Sequence, residues 1–474
     1  MHFRSVHSIF VVLCLANVLS YIFRNLVPAS PVELSAFIQH TLDVPSSRVS
    51  FYFGLLESVF IVTFSISIVV FGYLSKTIRP FQLLAIGLIL WVVSSLLCGL
   101  AAPANNFYVL LIGRLLSGVG DSSIFATAPP FFERYASPDR KNLWMALFYG
   151  AIPVGTSLSY FLGSLVTRTL GWQWTFYIVA GFMTPLALLS LFCVPDDWNV
   201  PLGDVSTTPV TSFGMDMSTV VHSMVFLTSS LGGAAFAFTF VACATFVPAI
   251  LIGAGTFSPA SSATIFGLMV LVAGIAGSII GGVLLDRASK DNDDHLRLAV
   301  ACRQQLLLVA LGLPFGLVSI YCLHAPVLFF ILLTLALTLT FATLNATTVT
   351  ILLSVPRALQ GLAMGLFSNI VHWVGDVPAP LVVGLIKDSY APGCGSLVDT
   401  QGVQHLDPAC ADASNFYGLK MTFFFSMAWL TWAVLLWLAT WRFAIQHGCR
   451  SEDEKDIYVQ MHEDDHTSVA AAAL

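Results

Sequence analysis

The chain has 474 residues, of which 57% are hydrophobic and 10% charged, and its mean hydropathy is +0.84. Soluble domains carry about 25% charged residues, so this composition excludes an ordinary globular protein and points to a polytopic membrane protein. The net charge of −6 is small for the length, much of it lies in the last 25 residues, and no basic patch suggests a nucleic-acid partner.

Twelve stretches are apolar enough, and long enough, to cross about 30 Å of hydrocarbon: 8–27, 50–74, 81–102, 107–132, 141–166, 173–194, 219–252, 262–285, 298–322, 325–353, 360–386 and 419–444. Backbone inside a bilayer must satisfy its own hydrogen bonds, so each is predicted to be a helix. The first contains "IFVVLCLANVLSYIF"; it lacks a clear small-residue cleavage site and carries polar residues, so it reads as a span rather than a leader. Asn17, Ser20 and Tyr21 lie within it, and Glu57 lies in the outer half of the second.

The fourth span holds "GRLLSGVGDSSIFATAPPFFER", with Arg114 and Asp121. Asp121 falls close to the bilayer midplane, where a lipid-facing carboxylate costs at least about 2.5 kcal/mol. It is therefore expected to face the bundle interior. Arg114, seven residues earlier, shares nearly the same face about 10 Å away along the axis. The space between suits an anionic substrate group or a water chain; the alternative is that each pairs separately with another helix. Pro129 and Pro130 are expected to end the helix, or to bend it for gating.

The prolines and lack of basic residues in 195–218 mark a divide after span six. The reading is a six-helix half over 1–195, a cytoplasmic linker over 196–218, a second half over 219–445 and an acidic tail over 446–474. Its fold class is an all-α membrane protein of two pseudo-symmetric halves, the layout of many secondary transporters. "FGYLSKTIRP" after span two and "GGVLLDRASK" after span eight form a faint repeat. With a cytoplasmic N-terminus, fourteen Lys and Arg face the cytoplasm and four face outward, which predicts both termini inside.

Span eleven contains "SNIVHWVGDVPAPLVVGLIKD". His372 and Asp376 are four apart on one face and suit proton carriage, a cationic head group or a fold-locking pair. Six cysteines sit in apolar runs, while Cys394 and Cys410 share a polar outward loop where a disulfide is expected. The sequon at Asn345 falls inside span ten. No phosphate loop, metal-ligand spacing or hydrolase elbow occurs, so no cofactor, metal, ATP motor or enzymatic activity is expected. A His-Asp acyltransferase site is discounted because three residues separate the pair rather than four, and it lies within a span.

Residues 114–164 resemble the Spinster family of the major facilitator superfamily. The matching features are an Arg, Gly-Val-Gly, an acid and Ser, Ala-Pro, and then "FYGAIPVG" from Phe148 to Gly155. "HWVGDVPAPLVVGLIKD" is similar to that family's eleventh span. The resemblance implies alternating-access transport of a lysophospholipid or sphingoid phosphate, proton-coupled in some members, in endolysosomal or plasma membranes. It implies substrate or proton roles for Arg114 and Asp121, and gating roles for Pro153 and Gly155. The family's Asn-Tyr-x-Asp-Arg in span one is here "NVLSY", so Ser20 and Tyr21 replace an acid and a base; Glu57 or Asp376 are the substitutes. The Gly-Asp-Arg after span two is replaced by Ser75, Lys76 and Thr77, while its second-half counterpart, Asp286 and Arg287, is present. This is the pattern of a divergent member. "YVQM", from Tyr458 to Met461, resembles an endosomal sorting signal read by adaptor proteins. The rival readings are a facilitator for a small water-soluble solute and a non-transporting membrane sensor.

Overall fold

The computed structural model of the chain describes residues 3, 5–75, 78–137, 141–201, 213–259, 261–289, 294–356, 359–394, 396–398 and 404–446. Lys76, Thr77, Tyr458 and Met461 lie outside the described residues.

The apolar runs are helical, as the backbone argument requires. The first half consists of α1 (Val6–Arg24), α4 (Val49–Leu74), α5 (Pro80–Leu100), α6 (Phe107–Tyr135), α7 (Lys141–Leu170) and α8 (Gln173–Phe192). Between α1 and α4 run two short helices, α2 (Leu26–Ala29), which begins within the first predicted span, and α3 (Pro31–Leu42), where the sequence predicts none. The second half begins with a short helix, α9 (Phe213–His222), inside the predicted linker. Its spans are α10 (Met224–Gly253), α11 (Ser262–Ala288), α12 (Asp294–Ser319), the pair α13 (Pro326–Phe341) and α14 (Thr343–Leu353), the pair α15 (Gln360–Ile370) and α16 (Pro378–Tyr390), and α17 (Ala413–Ala428), which continues past a turn at Trp429 to Gln446. Among the described residues eleven helices qualify as spans by length and hydropathy; α7, 30 residues long, is the twelfth, diluted by Gly, Ser and Thr. The seventh span thus starts at Met224 rather than 219, because His222 and Ser223 break the helix. Among the described residues the one sheet lies between α16 and α17, with β1 (Ser396–Val398) antiparallel to β2 (Gln404–Leu406).

Pro129 and Pro130 do not end the fourth helix, which runs to Tyr135. Proline removes a donor but keeps a helical φ. Ring packing holds the last turns: Phe131 against Phe81, and Phe132 against Phe10, Trp144 and Phe148.

The halves meet on the side away from the chain termini, here called the far side. Glycines let α4 and α16 touch backbone to backbone: a Cβ on Gly54 would stand 2.2 Å from the Pro380 oxygen, and one on Gly384 2.5 Å from that of Ser50. Such small-residue contacts are a usual means of helix association in bilayers. Hydrogen bonds reinforce the seam. Ser46 donates to the Pro392 carbonyl at 2.8 Å, Ser58 to that of Val377 at 2.7 Å, and Tyr160 of α7 to that of Ala244 of α10 at 2.6 Å. Nearer the termini, beyond Phe64, the α4 side chains Ile66, Val69, Val70 and Tyr73 are exposed.

Candidate functional site

The site is built on helix periodicity. On α1, Asn17, Ser20, Tyr21 and Arg24 fall at i, i+3, i+4 and i+7, a single stripe. On α6, Arg114, Gly118, Asp121 and Phe125 fall at i, i+4, i+7 and i+11. Gly118 lets α6 lie flush on α4, since a Cβ there would be 2.3 Å from the Phe60 carbonyl oxygen. The two stripes and α4 therefore converge.

Arg114 is fully buried. Its Nη2 donates to Glu57 Oε1 at 2.8 Å and to the Arg24 carbonyl at 3.4 Å, and its Nε donates to the Leu56 carbonyl at 3.2 Å. Its Nη1 has no acceptor among the described residues. Asp121, also buried, accepts a hydrogen bond on Oδ1 from the Ser20 hydroxyl. Of the two arrangements the sequence allows, this structure has the separate pairing: each is engaged with a different helix. The physical reason is desolvation. A charge inside the bundle takes the nearest partner, and α4 and α1 each offer one. Ser20, which stands where the resemblance to the Spinster family puts an acid, is the group that binds the acid opposite.

The Tyr21 ring stands edge-on to Phe125 of α6, centroids 6.3 Å apart, and carries the Arg24 guanidinium 5.9 Å from its centroid. Asn17 donates to the Phe148 carbonyl at 2.8 Å, fixing α1 to α7, while its Oδ1 has no donor among the described residues. Gly155 admits Tyr21, whose Cβ would stand 2.6 Å from a Cβ built there; Pro153 packs on Gly274 of α11.

His372 and Asp376 lie in a π-helical turn over Val371–Asp376 that joins α15 to α16. The Val377 N–H reaches back five residues to the His372 carbonyl at 2.9 Å. Such single π-turns recur at functional sites. Nδ1 of His372 is 2.6 Å from Asp376 Oδ2, and its ring stands edge-on to Phe64 of α4, centroids 5.5 Å apart. Phe64 meets Phe125, and Phe125 meets Tyr21, so rings lead from the second half back to the stripe on α1.

Asp286 and Arg287 are exposed at the terminal-side end of α11, and neither makes an ion pair among the described residues. Cys394 and Cys410 are bonded to each other. Among the described residues no cluster of His, Cys, Asp or Glu could hold a metal ion.

The sequence reading passed over one member of the site. Arg24 lies within the first predicted span, 8–27, and hydropathy alone gives it no role. Its guanidinium lies 5.4 Å from the Phe60 centroid and 5.9 Å from that of Tyr21, and it has no ion-pair partner among the described residues. Its position three residues after Tyr21 and seven after Asn17 was the available signal.

Twelve spanning helices in two halves, with ionisable groups sunk between them, define a membrane carrier of the major facilitator type. The Major Facilitator Superfamily pattern matches residues 13–380, and the chain belongs to that superfamily of transport proteins. Within it the chain is similar to the spinster homologs. It is 28% identical over 415 residues to the probable sphingolipid transporter spinster homolog 1 of Arabidopsis thaliana, covering 80% of this chain and 82% of that one. It is 28% identical to the sphingosine-1-phosphate transporter SPNS2 of Danio rerio, covering 80% and 75%, and 29% identical to protein spinster homolog 1 of Homo sapiens, covering 80% and 72%. The crystal structure of a bacterial homolog of the human lysosomal transporter Spinster, inward-facing and unoccupied, superposes with a TM-score of 0.73 at 16% identity, over 93% of this chain and 98% of that one. That likeness establishes the fold.

Proposed function

We propose that this protein carries a sphingoid phosphate or lysophospholipid across a membrane by alternating access, coupled to protons through Asp121. The observation that carries the reading is the cluster of buried Glu57, Arg114 and Asp121 with half-buried Arg24, facing His372 and Asp376 of the other half, in a bundle joined on its far side. Ionisable groups inside a membrane are expensive and mark substrate and ion paths. A guanidinium suits a phosphate, and the rings around the site suit a hydrocarbon chain. The names of the spinster relatives support a lipid cargo. The Lys and Arg bias supports cytoplasmic termini; the tail motif, Tyr458 to Met461, supports adaptor-guided sorting to endolysosomal membranes, with the plasma membrane as the alternative. The test is competition binding in nanodiscs with radiolabelled sphingosine 1-phosphate. Unlabelled lysophosphatidylcholine is expected to displace it at micromolar concentration, while nucleosides and sugars at millimolar concentration leave it bound. Displacement by a soluble solute alone would overturn the lipid assignment.

A further inference from the structure

Three charged groups meet around one ring. Arg24 and Arg114 lie 5.4 Å and 4.8 Å from the centroid of Phe60, so their guanidinium carbons are no more than about 10 Å apart. Glu57 is the one carboxylate paired with either of them among the described residues, and it is paired with Arg114. The other nearby acid, Asp121, is held by Ser20. The cluster therefore has two fixed cations and one directly paired anion. Arginine stays protonated in proteins, so Arg24 cannot shed its unpaired charge by losing a proton.

The two guanidinium groups are not equivalent. Arg114 is fully buried and tied by three hydrogen bonds, which leave only Nη1 free. Arg24 is half-buried, and its side chain is steadied by the faces of Tyr21 and Phe60. Cation–π contacts of this kind are worth about 0.5–2 kcal/mol, weak enough to be exchanged for a charge-assisted hydrogen bond. Arg114 is the structural cation, and Arg24 is the available one.

We infer that Arg24, assisted by Nη1 of Arg114, is the anion-recognition residue of this carrier and takes the phosphate of a single-chain phospholipid. The inference rests on the lipid-transport reading and adds the residue that separates phosphorylated from unphosphorylated cargo. Arg24 offers a planar fork that binds two phosphate oxygens at once, and the phosphate supplies the ion-pair partner that Arg24 lacks among the described residues. Tyr21 and Phe60, released from the guanidinium, then face the first carbons of the chain.

The experiment compares sphingosine 1-phosphate with sphingosine, which differ by the phosphate. Binding of each to the full chain in nanodiscs is measured for wild type, Arg24→Gln and Arg24→Lys, with ligand-free thermal unfolding as the folding control. Wild type is expected to bind the phosphorylated lipid at least about tenfold more tightly, the ratio given by about 1.4 kcal/mol of difference. Arg24→Gln is expected to bring that ratio to within about twofold while sphingosine affinity stays put; Arg24→Lys keeps the charge, loses the fork and falls between. A folded Arg24→Gln protein that keeps the wild-type ratio overturns the role of Arg24 and leaves the transport reading standing. If Arg24→Gln fails to fold, Arg24→Lys decides: an unchanged ratio in that variant overturns the two-oxygen contact. A wild-type protein that binds neither lipid overturns both.

Discussion

Asp121 accepts its hydrogen bond from a hydroxyl, and that chemistry suits a proton carrier. A serine hydroxyl donates to a carboxylate and equally accepts from a carboxylic acid, so the contact with Ser20 survives in either protonation state. A guanidinium partner would favour the charged form alone; Glu57, held by Arg114, is in that situation. Asp121→Asn keeps a hydrogen-bonding group beside Ser20 and removes the exchangeable proton. In proteoliposomes the variant is expected to bind sphingosine 1-phosphate within a few fold of wild type and to lose the acceleration of uptake that a pH gradient gives. Retained acceleration would move proton coupling to another group. The importance of Asp121 and Arg114 was legible in the sequence, because charges in apolar runs stand out. Their partners were not. Ser20 and Glu57 are more than fifty residues away from the groups they bind, and only packing of α1 and α4 on α6 brings them there. Arg24 was overlooked because it lies at the edge of its span, where an arginine ordinarily reaches out to the interface.

The helices that close the far side carry a latch of their own. Asp388, at the end of α16, accepts the Ser50 N–H on Oδ1 at 3.1 Å and the Phe51 N–H on Oδ2 at 2.9 Å. These are free donors in the first turn of α4, where a negative charge is favoured. Lys387, buried beside it, donates to the Ser50 hydroxyl at 2.9 Å and to the Cys394 carbonyl at 3.2 Å. The disulfide to Cys410 anchors that carbonyl's loop. Hydrogen bonds to a charged group are worth about 1.5–3 kcal/mol, so losing this charge is expected to shift the far-side equilibrium at least about tenfold. Spin labels at the exposed Arg48 and Ser389 report it: Asp388→Asn is expected to add a longer-distance population that wild type lacks, and an unchanged distance distribution would show that the latch holds nothing. The helices themselves were legible from hydropathy. The breaks at Ala342 and at the π-turn were not, since they depend on how neighbouring helices cross, and α3 was missed because its twelve residues are too short and too polar to read as a span.

For the whole molecule, the two-half layout was legible because the bilayer allows so few solutions: apolar stretches of this length must be helices, and an even number of them returns both termini to one side. Which side of the bundle is joined was not legible, because it is set by contacts between α4 and α16 and between α7 and α11 whose residues are unremarkable in sequence. Joined halves on the far side, with a polar cluster at the seam's inner end, are the arrangement of one state in a cycle that must also visit its opposite. Counterflow tests this central claim most directly. Proteoliposomes holding the purified protein are loaded with unlabelled sphingosine 1-phosphate, and entry of the labelled lipid is followed against unloaded vesicles. An alternating-access carrier returns faster when loaded, so entry is expected to be several-fold quicker into preloaded vesicles and to saturate with concentration. Entry that is equal in loaded, unloaded and protein-free vesicles would contradict the account.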